Sequence, residues 1–315
     1  MSVAVGIKDI ATAAGVSPAT VSRVLGGKSV RPAYRDRVEE ALRRLEYRPN
    51  LAARRLRAKG TGPIGLIVPD LPNSFFTAFA RAVEELAWRQ NLRVIICNST
   101  EDPGRETTYL QFMREERVSG LIFAPVSPLP TFTPEVPVVL FDRTLGVEPH
   151  DTVMLDNEKA AVALTEALFA RGRHTILGLF GEDGITASGR ACGFAQAARA
   201  HGLPLRIAKV PYGLESRRAS VRAALSSNND VDAVIADNSD VLLEAALALG
   251  HSAGKMLACF DQPSWLRLIE DRPFTVAQPV EQMAHAALSL LMERVAGYDG
   301  APRRLVFQGQ VALAT

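Results

Sequence analysis

From Ile64 onward the chain repeats one device, in which a short apolar run is followed by a stretch patterned for a helix and then by another apolar run. The runs read IGLIV (64–68), RVIIC (93–97), GLIFAP (120–125), PVVLF (137–141), TILGLF (175–180), DAVIA (232–236), MLACF (256–260) and FTVAQ (274–278). Apolar runs of this length suit strands buried on both faces, and intervening helices are what parallel strands need as connections. There are too many runs for one convenient sheet, so two doubly wound lobes with a cleft between them are predicted.

Length and composition agree with more than one core. The chain has 315 residues with 47% hydrophobic side chains, enough for two domains. Its first residues, MSVAVGIKDIATAAG, lack a basic segment followed by a long apolar stretch. No later run reaches the roughly 18 apolar residues of a spanning helix, and a cytoplasmic protein without membrane contact is expected. Cys97, Cys192 and Cys259 are odd in number, widely spaced and without CxxC or Cys/His patterns. Neither a disulfide frame nor a metal site is expected, nor any cofactor.

Charge is informative once the chain is divided. Residues 1–60 carry 13 Lys and Arg against 5 Asp and Glu, a net +8; the remainder carries 23 against 29, a net −6. A small basic module joined to a mildly acidic body points to polyanion contact by the first part.

Helix patterning says what that module is. Ile7, Ile10, Ala11 and Ala14 share one face of a first helix that Gly15 ends. Ser17 supplies an N-cap hydroxyl, Pro18 suits the first helical position, and Val21, Val24 and Leu25 form the apolar stripe of a second helix. A third stripe, Val38, Ala41, Leu42 and Leu45, completes a small three-helix core. Two helices joined by a tight glycine turn make a helix-turn-helix. The second helix then shows Ala19, Thr20, Ser22 and Arg23 outward, short enough to enter a major groove. Thr20 and Ser22 suit phosphates or base edges, and Arg23 suits guanine O6 and N7.

The neighbouring YRPNLAARRLRAKGTG is a further unit. Pro49 ends the preceding helix, Asn50 can cap a new one, and Leu51 to Ala58 is too short to be stable alone, so it is expected to fold on a partner. Arg54, Arg55, Arg57 and Lys59 provide charge, while Ala52, Ala53 and Leu56 suit a minor groove, where a leucine can wedge a base step open.

The segments IKDIATAAGVSPATVSRVLGG, YRPNLAARRLR and IGLIVPDLPNSFF together resemble the LacI/GalR family of bacterial transcriptional repressors. The resemblance continues through CNSTEDPGRE, VVLFDR, VMLDNEKAA, ADNSD and TVAQPVEQMAHAALSLL. It implies a homodimer on a pseudo-palindromic double-stranded operator, with recognition helices in major grooves and paired hinge helices in the central minor groove. Pro18, Ala19 and Arg23 would then occupy base-reading positions and Leu56 the intercalating one. Gly26 and Gly27 stand where an Asn is common in the family, which puts one contact in doubt.

On this basis the fold is a small all-α helix-turn-helix domain (1–48) and a hinge helix with linker (49–60), then a two-lobed α/β domain of periplasmic-binding-protein type (61–315). The first lobe is expected over about 61–155 plus 279–300 and the second over about 156–278 plus 301–315, the helix from Glu281 to Ala296 returning to the first. A dimer is preferred to a tail-assembled tetramer, since no leucine heptad follows the final strand pattern.

Ligands of such sheets bind beyond the carboxyl ends of strands. Asn73, Phe75 and Phe76 follow the first run, Asp142 and Arg143 follow VVLF, Asn238 follows DAVIA, Asp261 follows MLACF and Gln278 follows FTVA, while Arg190 opens a helix after a glycine-containing loop. Amides, carboxylates and guanidiniums can bond several hydroxyls in fixed directions, and aromatic faces can cover a sugar ring. Each also admits a plainer role: Asp142 and Arg143 as an exposed pair, Asn238 as a helix cap, Phe75 or Phe76 as core. The set resembles that of ribose-type periplasmic sugar-binding proteins. Asp142 and Asp261 balance Arg143 and Arg190, which favours a neutral pentose or hexose over a sugar acid or phosphate. Tyr212 and Trp265 are possible further ring contacts, and a purine is the second ligand class.

Three functions compete. An effector-controlled repressor of carbohydrate-utilisation genes accounts for both modules. A periplasmic-type sugar receptor leaves the basic module unexplained. A carbohydrate enzyme is disfavoured because no P-loop, GxSxG elbow or metal-ligand cluster occurs, and GEDGITASG has only loose glycine spacing.

Overall fold

The computed structural model describes residues 6–25, 29–45, 62–126, 135–144, 150–182, 185–250, 254–269 and 272–313. The chain divides into two compact units, Met1–Gly60 and Thr61–Thr315. The expected hinge residues Asn50, Ala53, Arg54 and Leu56, and the pair Gly26 and Gly27, lie outside the described residues.

The first unit holds helices α1 (Ile7–Ala14), α2 (Pro18–Leu25) and α3 (Pro32–Arg44). Ile10, Ala11, Ala14, Val21, Val38 and Ala41 are buried at its centre, with Val24, Leu25, Leu42 and Leu45 packed around them. Gly15 ends α1 at φ 60°, a left-handed conformation that a side chain disfavours. A Cβ there would also collide with Nη2 of Arg37, which donates to the Gly15 carbonyl at 3.1 Å. Ser17 then caps α2, its Oγ accepting from the Thr20 N–H at 3.2 Å.

The second unit is built from two six-stranded sheets. In chain order come β1 (Ile64–Val68), α4 (Ser74–Arg89), β2 (Val94–Asn98), α5 (Pro103–Glu115), β3 (Gly120–Phe123), β4 (Val138–Phe141) and β5 (Asp151–Leu155). There follow α6 (Asn157–Phe169), β6 (Ile176–Gly181), α7 (Ile185–Ala200), β7 (Arg206–Val210), α8 (Leu214–Ser227), β8 (Ala233–Ala236), α9 (Ser239–Leu249) and β9 (Met256–Cys259). After a 3-10 turn (Ser264–Leu268) come β10 (Phe274–Ala277), α10 (Val280–Val295), β11 (Arg304–Phe307) and β12 (Gln310–Leu313).

The first sheet has the order β11-β5-β4-β3-β1-β2, every pair parallel. The second has the order β12-β10-β9-β8-β6-β7, parallel except where β12 runs against β10. Inner strands such as β1, β3, β4 and β8 are buried at every position, as their uninterrupted apolar runs require. Apolar cores lie on both faces of each sheet; α4 and α10 cover one face of the first.

The chain crosses between lobes three times, between Leu155 and Asn157, between Ala277 and Val280, and between Phe307 and Gln310. Asp156 ties two crossings together: its carboxylate caps α6 through the Lys159 N–H at 3.2 Å and accepts from Gln308 Nε2 at 3.1 Å. The third crossing corrects the expected boundary, which gave all of 301–315 to the second lobe. Arg304–Phe307 pairs in register with Thr152–Leu155 of the first sheet, so only Gln310–Leu313 joins the second.

A buried carboxylate secures that late strand. Asp151, with no exposed side-chain surface, accepts from Arg294 Nε at 2.9 Å and Nη2 at 3.0 Å, and from Arg303 N at 2.7 Å and Nη2 at 3.2 Å. Among the described residues no helix is long and apolar enough to cross a membrane.

Candidate functional site

Two surfaces hold the residues singled out by sequence. In the first unit, Ser17, Pro18, Ala19, Ser22 and Arg23 are exposed on the side of α2 away from its core, and Thr20 is half-buried with its hydroxyl 2.9 Å from Ser17 Oγ. Bulk is absent from the start of this face, so nothing on it would hold the helix off a groove floor. Lys8, Tyr34 and Arg37 line a groove together with Ser17, Pro18 and Thr20. Sequence reading did not name these three, because they come from α1 and α3 and meet α2 only once the three helices have packed. Their ammonium, hydroxyl and guanidinium groups give the start of α2 donors suited to phosphate oxygens.

The second surface is a cleft between the two lobes. Asn73, Phe75, Phe76, Asp142, Arg143, Arg190, Asn238, Asp261 and Gln278 all line one cavity of about 680 Å³, open solvent included. All but Arg190, which stands on α7, follow the carboxyl ends of strands of the two sheets, as the parallel topology dictates. Asn73 caps α4 by accepting from Phe75 N at 3.0 Å, and Asn238 caps α9 by accepting from Val241 N at 3.0 Å. Both amides spend their oxygen on a helix, which keeps their NH₂ hydrogens for other acceptors.

The plainer roles are therefore partly combined with cleft-lining ones. Asn238 is a helix cap that also faces the cavity. Phe75 and Phe76 are buried, edge-to-face with ring centroids 5.2 Å apart, and belong to the first-lobe core as well as to the lining. Asp142 and Arg143 are not an exposed pair, since Asp142 is 4% exposed and the Arg143 side chain 14%. Asp142 sits at φ 59°, a left-handed position that aspartate tolerates better than most side chains. Its carbonyl accepts from Thr186 Oγ1 of the other lobe at 2.9 Å. Ser74 and Ser239 meet across the same gap, their hydroxyls 3.0 Å apart.

Arg190 reaches the cleft because α7 packs unusually close to α6. A Cβ on Gly193 would strike the Glu158 carbonyl and lie 2.8 Å from Ala161 Cβ, so only glycine permits the approach. One turn away, Arg190 Nε donates to Asn157 Oδ1 at 2.8 Å, Nη1 donates to the Asp237 carbonyl, and the guanidinium lies 4.3 Å from the centroid of the Phe260 ring.

The charge arrangement differs from the expected one. Sequence reading set Asp142 and Asp261 against Arg143 and Arg190. Instead Arg143 pairs with Glu101 in two bonds of 2.8 and 2.6 Å, and Arg190 pairs with Asp237 at 3.3 Å. Asp70, Glu101, Tyr212, Arg217 and Asp237 are lining residues that the strand-end argument did not place; Tyr212, named before only as a possible contact, lies with its ring centroid 5.6 Å from Arg143 Cζ. Trp265 packs against the second-lobe core and is absent from the lining. The signal for Asp70 was present, two residues past IGLIV, but aspartate beside a proline also reads as an ordinary loop residue.

Burial dominates the acid–base behaviour of the cleft. It pushes the Asp261 carboxyl up to about 7, with Arg190 and the hydrogen bonds from Ser239 N and Gln278 opposing. Asp70 rises to about 6, from burial first and then from Asp240. Asp142 is also raised by burial, against the pull of Arg143 and Arg190. Tyr212 is pushed up to about 12 by burial. Gln278 donates Nε2 to Asp261 Oδ1 at 3.0 Å, and its Oε1 is buried with no hydrogen-bond partner among the described residues. A cleft with unsatisfied acceptors and an aromatic wall is suited to hold a ligand rich in hydrogen-bond donors.

Comparison with known proteins bears on both surfaces. Residues 6–50 match the family described as bacterial regulatory proteins, lacI family. Residues 61–258 match periplasmic binding proteins and the sugar binding domain of the LacI family. The ribose operon repressor of Halalkalibacterium halodurans is 31% identical over 300 residues, covering 92% of this chain and 90% of that protein. Among solved structures, the transcriptional regulator CelR–cellobiose complex superposes with a TM-score of 0.72 at 25% identity, covering 98% of both chains. The Lac repressor bound to ONPG in its repressed state has a TM-score of 0.82 at 21% identity over 98% of both chains, a likeness of fold.

Proposed function

Because the chain belongs to the LacI family of bacterial regulatory proteins, we propose that it represses carbohydrate-utilisation genes and that a sugar-like polyol in the interlobe cleft controls its hold on DNA. The observation that carries this reading is the convergence, on one cavity, of polar and aromatic side chains from strand ends of both lobes. The ribose operon repressor and the cellobiose-bound regulator among its relatives support a carbohydrate effector. Arg23, with Ser17, Pro18, Ala19, Thr20 and Ser22, reads operator base edges and phosphates, and the hinge segment with Asn50, Ala53, Arg54 and Leu56 engages the minor groove. The protein acts as a homodimer on a pseudo-palindromic site, needs no cofactor, and catalyses no reaction on its ligand.

The polyol contacts both lobes and stabilises one relative lobe orientation over another. Operator affinity changes only by the difference in ligand affinity between those states. The test is operator binding in the presence of a panel of sugars, sugar acids and purines, with thermal unfolding alongside. A ligand at about 100 times its dissociation constant stabilises by about 2.7 kcal/mol. Arg190→Ala and Asp261→Ala should each abolish the response to the active compound while operator binding stays measurable. Full effector sensitivity in both variants would remove the effector from this cleft.

A further inference from the structure

The cleft carries an acidic corner that its own arginines leave uncompensated. Among the described residues three guanidiniums line the cavity, and each is committed: Arg143 to Glu101, Arg190 to Asp237, and Arg217 to Asp240 at 3.0 Å and to the Tyr212 carbonyl at 2.7 Å. Three more lining carboxylates, Asp70, Asp142 and Asp261, accept no hydrogen bond from a guanidinium among the described residues, although Arg190 lies near enough to draw on Asp142 and Asp261. Asp261 is held by Ser239 N at 3.1 Å and by Gln278. Asp142 is 4% exposed, and the one guanidinium within 4 Å of its carboxylate among the described residues is Arg143, whose Nε stands at 3.8 Å, beyond hydrogen-bond reach.

Asp70 is the most open of the three. It is half-buried at the end of β1, and no described residue donates a hydrogen bond to its carboxylate. Burial and the like charges of Asp240 and Glu101 raise its carboxyl, and Arg217 and Arg143, which already serve those same acids, offset this only in part. The buried, unpaired Oε1 of Gln278 adds a neutral acceptor to the same lining.

A hydroxyl can satisfy one lone pair of such a carboxylate but leaves its charge in place. An ammonium supplies three donors and the missing positive charge together. A carboxylate or phosphate on the ligand would add repulsion to a site that has no guanidinium to spare. We infer that the effector is an aminated polyol, an amino sugar or aminated sugar alcohol, whose ammonium group docks on Asp70, so that Asp70 sets ligand specificity. This rests on the cleft being the effector site and refines the ligand's charge.

Matched trios test it on the full chain at neutral pH: D-glucose, D-glucosamine and D-gluconate, and D-galactose, D-galactosamine and D-galacturonate, by calorimetry and thermal unfolding. The amine of at least one trio should bind about tenfold more tightly than its neutral partner, with the acid weakest. Asp70→Asn should bring amine and neutral sugar to within about threefold, and Asp70→Glu should restore the preference. A neutral sugar binding as tightly as its amine, a preference that survives Asp70→Asn, or no response to either amine overturns the inference. Neutral binding that Arg190→Ala removes would sink the amine alone and keep the cleft as effector site. Binding of the acids in preference to both partners would sink the inference and the donor-rich ligand together.

Discussion

Gln278 reaches Asp261 with its Nε2, and that single bond of 3.0 Å turns the amide so that Oε1 is buried without a partner among the described residues. The acceptor is satisfied if a ligand hydroxyl or ammonium arrives. Gln278→Ala removes one hydrogen bond and one orphaned acceptor together, so the unliganded protein should change by no more than about 1 kcal/mol. The stabilisation by a cleft ligand should fall by about 1 to 2 kcal/mol. Unfolding with and without the active ligand checks both; equal losses in the two states would mean that Oε1 plays no part in binding.

Asp261 predicts a pH dependence of the unliganded protein. Its carboxyl titrates near 7 when folded against 3.8 as the ordinary value, so between those limits the folded chain keeps a proton that the unfolded chain has lost. Stability from this group is therefore present at low pH and declines as pH rises towards 7, by at most about 1.4 kcal/mol per pH unit. Asp70, raised to about 6, acts in the same direction. Asp261→Asn should flatten the decline and leave the unliganded protein more stable than the parent above pH 7, while effector response is lost. An unchanged pH profile in the variant would contradict this.

Asp151 works with the opposite sign. Although burial opposes it, hydrogen bonds from Arg294 and Arg303 hold its carboxyl down at about 2. That stability is present above the ordinary value of 3.8 and is lost as pH falls towards 2. The difference amounts to about 2 kcal/mol. Asp151→Ala should cost about 3 kcal/mol by taking the shared buried carboxylate from both arginines, leaving Arg303 only Glu293 and Arg294 only backbone carbonyls. Urea unfolding at neutral and acid pH measures both, and a variant as stable as the parent would show that β11 is held by its backbone pairing alone.

Arg23→Ala should weaken specific operator binding by about 1 to 3 kcal/mol, the range for losing a bidentate base contact. Footprinting on the natural operator and on unrelated duplex is the measurement. Equal losses on both would reassign Arg23 to phosphate contact.

The legibility of these features followed their chemistry. Strands such as IGLIV and GLIFAP were plain because both their faces are buried. β7 (RIAKV) was missed because it is an edge strand that alternates half-buried and exposed positions up to Val210 and carries Arg206 and Lys209. β5 was missed for the converse reason: Asp151 and Thr152 are polar yet buried, and a polar opening disguises a core strand. β11 (RLVF) is short and largely exposed, so its three apolar residues do not stand out as a buried strand, and its place beside β5 rests on Arg294 and Arg303, 143 and 152 positions away from Asp151.

The nine cleft residues were legible because strand ends converge in any doubly wound sheet. Their pairing was not, since Glu101 and Asp237 bind Arg143 and Arg190 across loops whose approach no local spacing records. Asp70 differs again: its significance depends on the absence of a partner, and absence of contact is a property of the folded surroundings alone.

Each sheet receives an outer strand from the end of the chain, β11 beside β5 and β12 beside β10. The DNA-reading core, by contrast, is complete by Leu45. Chains emerge from the ribosome at about 5 to 20 residues per second, so the reading head can fold on the order of ten to fifty seconds before either lobe closes. A message cut short before Arg304 would release a protein whose β5 and β10 are bare edges, open to pairing with other chains. Premature stops late in the gene should thus give insoluble protein, and they would not be a route to a soluble DNA-binding regulator that has merely lost its sense of ligand.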